Sequence, residues 1–256
     1  VFQAGLRSAA AFPAILAFAL LTRKRLSVSD GSLLPGLLCG CFFAGEFLLL
    51  FKAMDYTSVA RAVVLFYTMP VWVAVGAHFL IPGETMTRTR ALGLVLAVAG
   101  IAVALSRNEH PATEFALRGD LMALLGAGFW AAIAFTARLT PLSRSAPEMQ
   151  LLYQLAVSAV ILIAVTPLFG PALRGMTPGL WGVFALQVAM VGCFGFLAWF
   201  WVLKHYPASD MASFGFLTPL FAVVFGWLIL DEPITPSLAL ALALVAAGIV
   251  LVNRRR

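Results

Sequence analysis

The sequence predicts an all-α polytopic membrane protein made of two inverted five-helix repeats. This is a ten-helix fold in which nine spans are present and the first helix is absent. Three observations predict it. The composition is too apolar for water, nine apolar runs reach membrane-crossing length, and one order of Pro, Glu and Gly landmarks occurs twice.

Composition comes first. Of 256 residues, 62% are hydrophobic and only 11% charged, and the mean hydropathy is +0.99. A soluble domain carries about 25% charged residues, and a globule of this size has too little interior to hide so much apolar surface. A disordered chain, a nucleic-acid-binding domain and a disulfide scaffold are excluded on the same ground. The net charge of +6 comes from 17 basic residues scattered at the ends of apolar runs, where the partner is the lipid bilayer and not nucleic acid. Cys39, Cys41 and Cys193 lie inside apolar runs and read as small packing residues.

About 20 apolar residues at helical rise cross the hydrocarbon core. That ruler gives spans at 3–21, 32–51, 59–81, 88–106, 119–139, 148–168, 178–203, 209–230 and 236–253. The connectors carry turn and charge signals, as in Thr22-Arg23-Lys24-Arg25, Pro82-Gly83-Glu84 and Asp231-Glu232-Pro233. The runs lack period-2 alternation, so a barrel is excluded and each span must be helical to satisfy its own backbone. With Arg254, Arg255 and Arg256 inside, the inner loops hold eleven basic residues and the outer side six. The bias places the C-terminus in the cytoplasm of a multi-pass plasma-membrane protein, expected in a bacterial inner membrane.

The repeat pairs 56–107 with 206–255. Pro70 precedes Glu84 by 14 residues and Pro219 precedes Glu232 by 13; from each glutamate to Gly100 or Gly248 is 16. The stretches 91–101 and 239–249 agree at seven of eleven positions. The first repeat, 1–107, then holds four spans and the second, 118–256, holds five, so the sequence reads as lacking an amino-terminal helix. An odd number of spans per repeat inverts the second relative to the first, an arrangement that recurs in secondary transporters with the site at the repeat interface.

The run Tyr56-Thr-Ser-Val-Ala-Arg61, Tyr67-Thr-Met-Pro70, Glu84, Gly93 and Gly100 resembles the EamA-type signature of the drug/metabolite transporter superfamily. Its second copy is Tyr206-Pro-Ala-Ser, Leu217-Thr-Pro219, Glu232 and Gly248. The resemblance covers essentially the whole chain and implies a ten-helix exporter that carries metabolites. The aromatic richness is similar to that of YddG-like exporters of aromatic amino acids.

Several residues are candidates for the site, each with a plainer reading beside it. Glu46, about five residues inside the outer end of its span, is an intramembrane carboxylate and by default a functional hypothesis. It reads as a proton-coupling group, as the partner of a substrate ammonium, or as one half of a structural ion pair with Arg7 or Arg61. Tyr67, Val71, Ala74 and His78 share a helical spacing that would line a cavity, while a wetted His at the membrane edge is the alternative. Gln187, near mid-span, bonds either a neighbouring helix or a substrate. Trp130 beside Gly126 and Gly128, and Trp199 one turn from Gly195, read as cavity wall or as plain packing. Trp201 reads as interfacial belt. Pro70 and Pro219, at equivalent positions, free a carbonyl each and suit a hinge. Gly36-x-x-x-Gly40 reads as a close-packing motif, and Glu84 and Glu232 as loop ties.

No zinc-protease, nucleophile-elbow or phosphate-loop motif occurs, and no lysine lies mid-span. The sequence therefore gives no catalytic residue, no metal ligand and no cofactor. The function expected is export of small organic metabolites, foremost amino acids with apolar or aromatic side chains, by alternating access, facilitative or coupled to protons. The alternative is a non-transporting receptor or an enzyme acting on a small amphiphile.

Overall fold

A computed structural model describes residues 1–57, 62, 65–105, 116–170, 177–218, 221, 228 and 236–253. Every regular element among them is helical. The order is α1 (Phe2–Leu21), α2 (Leu33–Ala53), α3 (Met69–Leu80), α4 (Arg88–Leu105), α5 (Ala116–Leu139), α6 (Pro147–Ala164), α7 (Pro178–Gln187), a π-helical segment (Val188–Gly195), α8 (Phe196–His205), α9 (Ala208–Ser213) and α10 (Pro236–Asn253). Short 3-10 turns cover Pro141–Arg144, Thr166–Phe169 and Phe214–Phe216. Among the described residues five helices are long and apolar enough to cross a membrane, the longest being the continuous stretch Pro178–His205.

The starts follow local chemistry. Proline opens α6 and α7, where its missing N–H costs nothing. Thr177 caps α7 by accepting the Leu180 N–H, and Thr140 caps the 3-10 turn by accepting that of Leu142. The expected span 59–81 is not one continuous helix. A turn at Tyr67-Thr68 interrupts it, and Pro70 sits in the first turn of α3. A proline can bend a helix or begin one, and here it begins one. The chain turns at Gly83 (φ +87°) between α3 and α4. The expectations on Arg61, Pro219, Glu232 and Arg254–Arg256 lie outside the described residues.

The chain divides into two compact units, and each draws on both sequence repeats. The first unit comprises Val1–Phe51 and Ala132–Tyr206. In it α1 packs along α6, with Gly5 against Leu162 and Ile163. Gly36 and Gly40 of α2 receive Tyr153 and Val157 of α6 so closely that a Cβ at either would collide. In lipid, helices are held by this kind of close approach and by hydrogen bonds between them. Ser158 Oγ donates to Ser8 Oγ at 2.9 Å, the Ser32 and Tyr153 hydroxyls bond at 3.1 Å, and Lys24 pairs with Glu148 at 3.4 Å.

The second unit comprises Lys52–Ala131 and Pro207–Arg256. Its core is the α4–α10 pair, closed on Leu94, Ala97, Ile101, Val245 and Val252. The two backbones come together at Gly93 and Gly248, where a Cβ on either would fall 2.6–2.7 Å from the other's carbonyl oxygen. α5 contributes its first part to this unit, with Asp120 Oδ1 accepting from the Thr57 hydroxyl at 3.3 Å.

Candidate functional site

In the first unit Arg7 lies on α1, Glu46 on α2 and Gln187 at the end of α7, next to the π-helical segment. The Arg7 guanidinium lies 5.0 Å from the centre of the Phe47 ring and 5.6 Å from that of Phe196. Phe43 meets both rings edge-on, at 5.1 and 5.0 Å. The aromatic faces thus hold a cation away from water, each such contact being worth about 0.5–2 kcal/mol. The stem of Arg7 runs past Gly192, where a Cβ would come within 3.4 Å of its Cγ. The π-helical segment supplies that glycine. Such widened turns occur mostly as single-turn bulges and often at functional sites, and this one extends over eight residues.

Glu46 is 5% exposed, and Arg7 and Glu46 attract one another. They do not close into a contact ion pair. Arg7 Nη2 and Glu46 Oε2 are both buried, and neither has a hydrogen-bond partner among the described residues. A buried charge normally has a partner within hydrogen-bond reach, because desolvation is otherwise uncompensated. One turn before Arg7, Gln3 Nε2 donates to Gln187 Oε1 at 3.0 Å, so Gln187 bonds a neighbouring helix through one of its four sites. The structure therefore brings Arg7, Glu46 and Gln187 into one unit, with Trp199 half-buried on α8 in the same unit.

Tyr67, His78 and Trp130 belong to the second unit. Tyr67 lies in the turn before α3, so it does not continue the helical face of Val71, Ala74 and His78; the interruption ahead of Pro70 removes the assumed register. Tyr67 packs against the α4–α10 core. His78 is exposed, and its Nδ1 accepts the Met86 N–H at 3.2 Å, which fastens the α3–α4 connector. Trp130 stacks on Phe66, with centroids 5.3 Å apart and planes at 22°. Gly128, two residues away, has open space where a side chain would be. An apolar groove of about 690 Å³ runs along α3 and α4, lined by Thr68, Val71, Trp72, Met86, Leu94 and Val98 among others.

Two polar features are legible only in part from the local sequence, which reads Glu84 as a loop tie without naming its partner. Glu84, 8% exposed, receives the N-terminus of α9: Oε1 accepts the Ala208 N–H at 3.1 Å, and Oε2 accepts the Ser209 N–H at 3.0 Å and its hydroxyl at 2.6 Å. Arg90 pairs with Asp210 at 2.5 Å beside it. At α9 the only local hint is Pro207 followed by Ala-Ser-Asp, a helix-start pattern that does not say where the capping carboxylate comes from. The aromatic clasp on Arg7 is likewise invisible until helices are paired.

The EamA-like transporter family model matches the chain twice, over residues 1–106 and 117–254. The uncharacterized transporter YoaV of Bacillus subtilis (strain 168) is 29% identical over 233 residues, covering 89% of this chain and 78% of the relative. The uncharacterized transporter YvbV of the same organism is 31% identical over 178 residues, covering 68% of this chain and 56% of that protein, so the match spans little more than half its length. A solved crystal structure with 19% identity has the same fold, with a TM-score of 0.85 over 98% of this chain and 87% of the other.

Proposed function

Since the chain belongs to the EamA-like transporter family and is a multi-pass membrane transporter, we propose that it exports small zwitterionic metabolites, foremost amino acids with apolar or aromatic side chains, by alternating access. The two family matches, 1–106 and 117–254, support two repeats, at 1–107 and 118–256 in this reading, while their inverted topology and a cytoplasmic C-terminus rest on the odd number of spans and on the placing of the basic residues. One observation carries the substrate class. Arg7 and Glu46 present one half-buried cation and one buried carboxylate, each with a buried polar atom that has no hydrogen-bond partner among the described residues, and they do not form a contact ion pair. An α-amino acid satisfies both: its carboxylate bonds the guanidinium, and its ammonium bonds the glutamate. Net charge at the site is zero before and after binding, so desolvation is matched on both sides. The rings of Phe43, Phe47 and Phe196 give an aromatic side chain its partner. Glu46 is also the residue through which protons would couple to the movement.

The test is a flux panel with the full chain in proteoliposomes: radiolabelled amino acids, nucleobases and sugars, with phenethylamine and phenylpropionate as competitors of phenylalanine. Each competitor lacks one charged group and leaves Arg7 or Glu46 unpaired. A charge-assisted hydrogen bond contributes about 1.5–3 kcal/mol, so each should compete about 10- to 150-fold more weakly than phenylalanine. Equal competition by all three compounds overturns the zwitterion reading. Binding without flux in sealed vesicles favours a receptor instead.

A further inference from the structure

The groove of about 690 Å³ in the second unit has the size of a ligand cavity and a polar mouth. Val71 and Val75 line it from α3, and Ala91, Val95, Val98 and Ala102 line it from α4 at the spacing of one helix face. From Ala91 to Ala102 the trough runs about 16 Å at helical rise. That is half of a hydrocarbon core about 30 Å thick, the depth of one lipid leaflet. Its polar lining groups are satisfied within the protein. Trp72 Nε1 donates to Thr68 Oγ at 3.3 Å, and that hydroxyl donates to the Leu65 carbonyl at 2.6 Å. The trough itself therefore offers an occupant only apolar surface. Leu94 closes its floor at 3% exposure, while Val95 at the rim is 65% exposed, so the trough opens sideways.

One end of the trough is different. His78 follows Val75 by three residues on α3, and Arg88 precedes Ala91 by three on α4. Each continues the lining face of its helix one turn beyond the apolar part. The connector ties them together: His78 Nδ1 accepts the Met86 N–H at 3.2 Å, and Arg88 follows Met86 by two residues, at most about 7 Å of chain. With Nδ1 accepting, a neutral ring carries its proton on Nε2 and donates from there. Both residues are exposed, and the Arg88 guanidinium makes no ion pair or hydrogen bond among the described residues. The carboxylates nearby are engaged: Glu84 accepts from the start of α9, and Asp210 pairs with Arg90. A cation and a second donor at the mouth of an apolar trough one leaflet deep match an amphiphile with an anionic head. A soluble phosphate has no use for the trough, and in a zwitterionic lipid the choline offsets the charge that Arg88 attracts. We propose that this groove is a lipid site that seats one acyl chain of an anionic glycerophospholipid, with its headgroup phosphate held by Arg88 and His78. The site belongs to the second unit and does not depend on what Arg7 and Glu46 bind in the first.

The experiment uses the full chain purified in detergent, titrated with phosphatidylglycerol and with phosphatidylcholine of the same acyl length, and read by native mass spectrometry and thermal melting. The parent should retain phosphatidylglycerol about fivefold better, the effect of one cation near an anionic headgroup. Arg88→Gln should remove that preference and leave weak, equal binding of both lipids, whereas Arg88→Lys should keep it. Val95→Trp fills the trough from its exposed rim and should weaken both lipids. Val160→Trp, at an exposed position of α6 in the first unit, should weaken neither. Ala102→Phe fills the far end of the trough and takes the place of Val95→Trp if the latter lowers the melting temperature of the lipid-free chain. Equal retention of the two lipids by the parent, an unchanged preference in Arg88→Gln, or undiminished binding by a folded trough-filling variant overturns the proposal.

Discussion

Removing the Glu84 carboxylate tests how the second unit is held together. Glu84→Ala strips three acceptor bonds at once, to the N–H groups of Ala208 and Ser209 and to the Ser209 hydroxyl. α9 has only six residues, so it cannot offset the loss by propagating elsewhere. A hydrogen bond to a charged group contributes about 1.5–3 kcal/mol, and each buried donor left bare costs a similar amount. The three donors share one carboxylate and their contributions overlap, which places the total on the order of 3–5 kcal/mol. Glu84→Gln preserves the shape but aims an amide NH₂ at one backbone N–H, so it should retain about half of that. The assay is denaturation in detergent, combined with amide exchange at positions 208 and 209, where protection should fall in both variants. A double-mutant cycle with Ser209→Ala isolates the hydroxyl bond and should show coupling above about 1 kcal/mol. If Glu84→Ala costs less than about 1 kcal/mol, or if exchange at 208 and 209 is unchanged, the carboxylate does not hold α9 and the reasoning fails.

Gly93→Ala and Gly248→Ala should each destabilise the α4–α10 pair by about 1–3 kcal/mol, because the new Cβ meets a backbone carbonyl that cannot rotate away. Gly128→Ala, which opens on empty space, is the neutral control, and melting temperatures of the three compare them directly. Glu46→Gln should leave the melting temperature near that of the parent while flattening the pH dependence of flux; a large fall in stability with an unchanged pH profile assigns Glu46 to structure alone. Trp199→Ala should lower the ratio of phenylalanine to alanine flux about three- to tenfold, since a ring pair contributes about 0.5–1.5 kcal/mol beyond its area, whereas Tyr67→Ala, at a residue packed on the α4–α10 core, should leave that ratio unchanged. An unchanged ratio for Trp199→Ala marks Trp199 as a packing residue.

The long apolar runs were legible because length and composition alone decide whether a segment can live in a bilayer. The expected 3–21, 88–106 and 236–253 agree with α1, α4 and α10 within two residues at each end. Gly36 and Gly40 were legible too, as small residues four apart have one use on an apolar helix. The break at Tyr67-Thr68 was not, since hydrophobicity continues unbroken through it and a proline signals a bend or a beginning alike. Nor was the π-helical segment, because an added residue per turn leaves the composition unchanged and no helical-face periodicity exists in a run that is apolar all round. His78 and Tyr67 were placed together by a register that this break destroys. The Arg7 clasp and the Glu84 cap depend on which helices become neighbours, information that a single span does not hold.

That neighbour information explains how the inverted repeats cohere. The bonds that stitch each compact unit run largely from one repeat to the other. Ser158 to Ser8 and Ser32 to Tyr153 join residues 150 and 121 apart in the first unit; Glu84 to Ser209 and Arg90 to Asp210 join residues 125 and 120 apart in the second. A lone second repeat, 118–256, would leave Ser158 and Tyr153 without these partners and α9 without its carboxylate. Its α10 would expose the face that closes on Gly93 and Leu94. In hydrocarbon such bare polar groups cost more than they do in water, and two small-residue faces have nothing else as shapely to meet. Residues from both family matches, 1–106 and 117–254, therefore build each compact unit. A substitution at one of these stitches acts on the cohesion of a unit that both repeats build.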